Sequence, residues 1–115
     1  MNQKIFQWLS NILPVANAHG KGEKFVFLTQ QDTQTALTQF AYGKLIPGEE
    51  VNQHLHPSME EFFYFLSGEG EYVIDDIVYS IKPDSFFRIP ANTLHILKVT
   101  GTQPLTFLYF GIATD

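Results

Sequence analysis

At 115 residues and 44% hydrophobic content, the chain has the length of one domain and the composition of a folded globular protein. A formal net charge of −5, with seven Lys and Arg scattered along the sequence, excludes a basic patch for a nucleic-acid backbone. The absence of cysteine excludes disulfides, thiolate metal ligands and a cysteine nucleophile, and no apolar run approaches the length of a membrane span.

In chain order, Ile5, Trp8, Leu9, Ile12 and Leu13 follow the i, i+3, i+4, i+7, i+8 pattern, which predicts an amphipathic helix that Pro14 ends. The same stretch has a competing reading. "ANA" at 16–18 resembles a signal-peptidase site ending near Ala18, with Lys4 as the charged start. Gln7, Ser10 and Asn11 interrupt the apolar region that a signal peptide needs, so the helix and a cytoplasmic location are the expectation. Residues 1–19 are accordingly taken as helix and linker, and 20–115 as a single β domain.

After Gly20 the pattern changes to short apolar or alternating runs. These predict strands over 24–30, 35–46, 51–56, 61–68, 71–75, 77–81, 85–90, 94–99 and 105–113. Turn residues separate them: Pro47-Gly48, Pro57-Ser58, Gly68, Asp75-Asp76, Pro83-Asp84, Pro90-Ala91-Asn92 and Gly101 to Pro104. Asp75-Asp76 fits a tight hairpin. Short strands at this spacing, with no helices between them, predict an all-β antiparallel sandwich or barrel.

The chemistry concentrates in "HLHPSMEE" at 54–61. His54 and His56 are two apart, so one strand would point both to the same face. If the chain returns antiparallel after Pro57, Glu61 lies beside them, sharing its face with Phe63 and Phe65, while Glu60 points outward. His95 follows the last turn signal but one and can join them. Three imidazoles and one carboxylate suit Fe, Mn, Zn, Ni or Cu and are too rich in nitrogen for Ca or Mg. A histidine pair by itself also fits two exposed strand residues. His19 reads as an exposed loop residue outside the site.

Residues 48–68 resemble the first cupin motif, G-x5-H-x-H-x4-E-x6-G, with Gly48, His54, His56, Glu61 and Gly68 all in register. Residues 84–99 resemble the second, G-x5-P-x-G-x2-H-x3-N, through Pro90 and His95. Asp84, Asn92 and Val99 stand where that motif has glycine, glycine and asparagine. Asn92 can serve the same turn, because asparagine tolerates a left-handed backbone. The resemblance covers roughly residues 36–113. It implies an antiparallel jelly-roll β-barrel, one divalent transition-metal ion held by His54, His56, Glu61 and His95, and a homodimer packed through N-terminal segments. It implies no particular reaction, because cupins include oxygenases, isomerases, lyases, sugar-binding domains and storage proteins.

Around such an ion Phe63, Phe65, Leu97 and Tyr109, or Phe107, read either as pocket wall or as plain core. Tyr42, Lys44 and Arg88 are the polar candidates for a substrate pocket, with Gln53, Tyr64 and Tyr79 behind them. Lys44 and Arg88 read equally well as solvated edge charges, and Tyr64 has outward parity. No Ser-His-Asp order, phosphate loop or dinucleotide fingerprint is present. The expected partner is a small molecule, with no nucleic acid and no membrane. The leading function is a metal-dependent enzyme of oxygenase, isomerase or lyase type; a non-enzymatic ligand-binding or metal-sensing module competes with it, and a storage role ranks lowest.

Overall fold

The structure, a computed structural model, describes residues 4–16 and 21–114. Its strands are β1 Val15–Ala16, β2 Glu23–Thr29, β3 Leu37–Leu45, β4 Glu50–His54, β5 Met59–Ser67, β6 Gly70–Ile74, β7 Ile77–Ile81, β8 Phe86–Ile89, β9 His95–Val99 and β10 Leu105–Ala113. The nine expected strands are all present within about two residues, and the tenth is the short β1.

Every pairing is antiparallel. One sheet has the order β1-β2-β3-β10-β5-β8 and the other β4-β9-β6-β7. The crossovers between non-consecutive strands are those of a jelly roll, built as two facing sheets with no hydrogen-bonded ladder closing them into a barrel.

Alternation along each strand explains the core. On β5 Glu61, Phe63 and Phe65 are buried while Tyr64 and Leu66 are exposed. On β9 His95, Leu97 and Val99 are buried. Across the gap Phe63 meets Tyr72 edge-on at 5.4 Å, and within the large sheet Phe65 packs against its β10 partner Phe107 at 5.2 Å. Such large rings bury much apolar area on a small chain, which is how it folds without disulfides.

Turn chemistry sets the register. Ile74 pairs with Ile77, leaving Asp75 and Asp76 as a two-residue loop with φ of 51° and 67°. Positive φ at both positions is the primed hairpin turn that matches strand twist. The two residues standing in for motif glycines, Asp84 and Asn92, have φ of 72° and 60°. Both therefore occupy the left-handed conformation that glycine would supply.

The N-terminal helix expected from 5–13 is reduced to a single 3-10 turn, Leu9–Asn11. Ile5 and Leu13, the ends of the supposed apolar stripe, are 87% and 86% exposed. A helix this short is marginal by itself. The segment is instead held extended along the large sheet. Gln7 Nε2 donates to the Phe27 carbonyl at 2.8 Å, Lys4 pairs with Asp32 at 3.1 Å, and Val15 pairs with Lys24. Ala18 and His19 lie outside the described residues.

Candidate metal centre

Strand β4 carries His54, but simple alternation does not bring it inside. Val51 is buried, so His54, three residues on, would point out. A register irregularity between Val51 and His54 against β9 restores it to the interior. Such a bulge re-aims a side chain at a sheet edge. β4 ends at His54, so His56 sits in the turn beyond it and not on the strand as expected. That turn is anchored from the other motif, where Asn92 N–H donates to the His56 carbonyl at 2.9 Å. Glu61 enters from β5, paired with Gly111 on β10 and Ile89 on β8. His95 opens β9 directly opposite His54.

The four side chains converge as the sequence predicts. One donor atom from each of His54, His56, Glu61 and His95 lies within 4.8 Å of the others. His56 Nε2 and His95 Nε2 are 3.4 and 3.7 Å from Glu61 Oε1. Donors about 2.1 Å from one ion sit about 3.0 Å apart at a right angle and about 3.4 Å apart at the tetrahedral angle. A small contraction therefore brings these atoms to ligand spacing.

Ring tautomers make the cluster a lone-pair site. A carbonyl only accepts, so His95 Nδ1–H donates to Thr93 O at 2.8 Å, and His54 Nδ1–H donates to Asn52 O at 2.8 Å. Each ring is left with Nε2 as its acceptor nitrogen. His95 Nε2 is buried and has no hydrogen-bond partner among the described residues. Leaving a buried acceptor unpaired costs about 1–3 kcal/mol. A divalent ion would satisfy it, and the backbone carbonyls behind the rings are the outer support that metal-bound histidines use. The residues present fit the metal the motif implies.

His54, His56 and Glu61 line a cavity of about 300 Å³. Val51, Phe63, Leu97 and Phe107 make its apolar wall, and Lys24, Thr38, Gln39, Tyr72 and Tyr109 add polar atoms. Phe63 stacks on Tyr109 at 5.2 Å. Burial, reinforced by the Glu61 charge, pushes the Tyr109 hydroxyl up to about 12, with a hydrogen bond from Gln39 pulling the other way. The same two causes drive the Tyr72 hydroxyl well above its usual range, with Tyr109 adding to them. Both are neutral phenols at physiological pH.

Of the pocket residues expected from sequence, Phe63, Leu97 and Tyr109 line this cavity. Phe65 does not: it is fully buried one layer deeper, edge-on to Tyr72 and Phe87. Tyr42 and Lys44 point away, because β3 turns Ala41, Gly43 and Leu45 inward; Tyr42 packs on Phe25 at 5.7 Å instead. Arg88 is outside too, where its guanidinium grips the Glu60 carboxylate with two bonds of 3.0 Å. That pair confirms the outward parity of Glu60. Tyr64 is outward as well, donating to Asp84 at 2.7 Å. Sequence reasoning passed over Lys24, Gln39 and Tyr72. Strand parity held the signal, since Lys24 alternates with Val26, and Gln39 with Ala41.

Three imidazoles and a carboxylate that could hold a metal ion, gathered inside an antiparallel jelly roll, define a class of small β-sandwich proteins. The cupin-domain family model (Cupin_2) matches residues 41–111, and the chain belongs to the cupin family. A solved Thermotoga maritima structure, described as a predicted oxalate decarboxylase, superposes with a TM-score of 0.87 at 27% identity, covering 95% of this chain and 99% of that one. The oxalate-binding protein of T. maritima is 31% identical over 91 residues, 77% of this chain and 75% of its own length. The 5-nitrosalicylic acid 1,2-dioxygenase of a Bradyrhizobium species is 38% identical over 63 residues, 55% of this chain and 30% of that enzyme. The chain spans 30% to 56% of the length of several curated relatives it matches. No helix among the described residues is long and apolar enough to cross a membrane.

Proposed function

We propose that this cupin is a metal-dependent enzyme acting on a small organic molecule, by oxygenase, isomerase or lyase chemistry. The observation that carries the reading is the convergence of four donor atoms within 4.8 Å at a largely apolar cavity. His54, His56, Glu61 and His95 would hold one divalent ion of Fe, Mn, Zn, Ni or Cu. Such an ion supplies open positions for substrate oxygens and Lewis acidity toward developing negative charge. The chain supplies the rest. Phe63, Leu97 and Phe107 exclude water, and Tyr72 and Tyr109 keep hydroxyl protons close to Glu61. Relatives named for oxalate and for a salicylate derivative support a small oxygen-bearing ligand.

A second reading is a non-enzymatic binding module. It is favoured by the scarcity of acid–base groups in the cavity outside the ligand set, and by a relative named as a binding protein. Metal analysis followed by turnover assays separates the two. Protein isolated without chelator is expected to carry about one transition-metal ion per chain, from the count of one four-donor cluster. His54→Ala and Glu61→Gln should each lower that content at least tenfold while circular dichroism shows the fold retained. Metal content that neither variant changes sinks both readings. Saturable ligand binding with no product by mass spectrometry leaves the binding module.

We also propose a homodimer assembled through the N-terminal segment. Its exposed Ile5, Phe6, Trp8 and Leu13 are too many large apolar side chains to leave in water on one short arm.

A further inference from the structure

We propose that Lys24 makes the cavity selective for small dianionic organic acids, whose chelating end lies at the histidine–glutamate cluster and whose far carboxylate meets the Lys24 ammonium. The inference rests on the reading of the cluster as the metal centre. It adds a substrate class and a residue that determines it.

Lys24 is the one Lys or Arg among the described residues that line the cavity. It comes from β2, outside residues 41–111 that the family model matches. Register explains why it turns inward. Lys24 and Val26 face Gly43 and Ala41 on β3, the strand positions that point into the sandwich. Gly43 has no side chain there because a Cβ would run into the Phe107 ring.

The charge on Lys24 is not taken up by a carboxylate among the described residues. Lys4 pairs with Asp32 and Arg88 with Glu60, both away from the cavity. Lys24 Nζ donates to Gln39 Oε1 at 2.9 Å, a neutral acceptor, and no carboxylate lies within ion-pair distance among the described residues. An ammonium has three donors, and Gln39 takes one. Gln39 in turn counters the rise that burial imposes on the Tyr109 hydroxyl. The result is a positioned cation facing apolar walls, where a charge-assisted contact is stronger than in water.

The charge count also points to an anion. A divalent ion contributes two positive charges, Glu61 removes one, three neutral imidazoles add none, and Lys24 adds one. The loaded cavity thus carries two positive charges, which a dianion neutralises. A single lysine without an arginine fork suits a lone carboxylate, and about 300 Å³ holds only a small one.

Calorimetric titration of protein loaded with one equivalent of Zn²⁺ tests this with matched pairs. Malate and 2-hydroxybutanoate share a chelating head and differ in a terminal carboxylate against a methyl group; 2-hydroxyglutarate and 2-hydroxypentanoate form the longer pair. The dianion of at least one pair should bind about tenfold or more tighter, the worth of one charge-assisted contact. Lys24→Met should reduce that preference to within about threefold, leaving zinc stoichiometry and monoanion affinity in place, and Lys24→Arg should retain most of it. Equal affinities within both pairs in the wild type, or a preference that survives Lys24→Met, overturns the role of Lys24 alone. Failure of the wild type to take up zinc overturns the metal centre and this proposal with it.

Discussion

His95 and His54 each give one ring nitrogen to a backbone carbonyl two residues upstream, which fixes the other nitrogen as an acceptor aimed into the cluster. At this scale the sequence was legible. Ligand identity and spacing are local properties of the chain, and all four residues meet as the motif spacing implies. Tyr109 adds a residue-scale prediction. Its hydroxyl is raised to about 12, so the folded state holds a proton that the unfolded state releases near its usual value of about 10. That stabilisation is complete below pH about 10 and is lost as the pH rises toward about 12. Thermal melts from pH 9 to 12 should therefore show a steeper decline for the wild type than for Tyr109→Phe. Parallel declines would contradict the assignment.

Among the elements, the turn after β8 does more than reverse the chain. Asn92 sits at φ 60°, its N–H holds the His56 carbonyl, and the carbonyl of the next residue, Thr93, holds His95. One turn thus orders two of the four ligands. Asn92→Ala should cost about 1 kcal/mol through left-handed strain and weaken metal affinity alongside. Asn92→Gly should leave stability within about 0.5 kcal/mol, because glycine adopts this conformation freely. Urea denaturation with a parallel metal titration checks both; an alanine variant as stable as the glycine one would remove the argument. The β4 bulge was not legible. Alternation in "VNQHLH" puts both histidines on one face and leaves Val51 on the other, whereas pairing with β9 brings Val51 and His54 to the same side.

At the scale of the whole molecule, the arm of residues 4–16 is the part least explained by its own strand and sheet. It touches the large sheet through Lys4, Gln7 and Val15 and leaves its apolar side chains outward. A dimer would cover them. Light scattering should give twice the 13.1 kDa chain mass, and removing residues 1–13 should lower the mass to that of a monomer or lower the melting temperature. An unchanged mass and melting temperature would exclude the arm from assembly. Acid should loosen it. The Thr29 N–H, helped by the Lys4 ammonium, holds the Asp32 carboxyl below its usual range. Its contribution is present above pH about 4 and lost as the pH falls through the lowered value. Emission from Trp8, the single tryptophan, should shift in that window, and Asp32→Asn should shift it at neutral pH.

The sequence by itself determined the strands, the turns and the four residues that cluster, because these follow from period-two alternation, turn chemistry or motif spacing along the chain. Only the tertiary structure decided which faces of β2, β3, β4 and β8 look into the cavity. Hydropathy could not, because this protein is aromatic on both faces of its large sheet. Outside, Phe110 stacks on Phe40 at 5.4 Å and on Phe62 at 5.0 Å; inside, Phe63, Phe65 and Phe107 pack the core. Sheet pairing broke that symmetry. It turned Tyr42, Lys44 and Arg88 outward, brought Lys24 in from a strand distant in sequence, and held the N-terminal segment extended along β2.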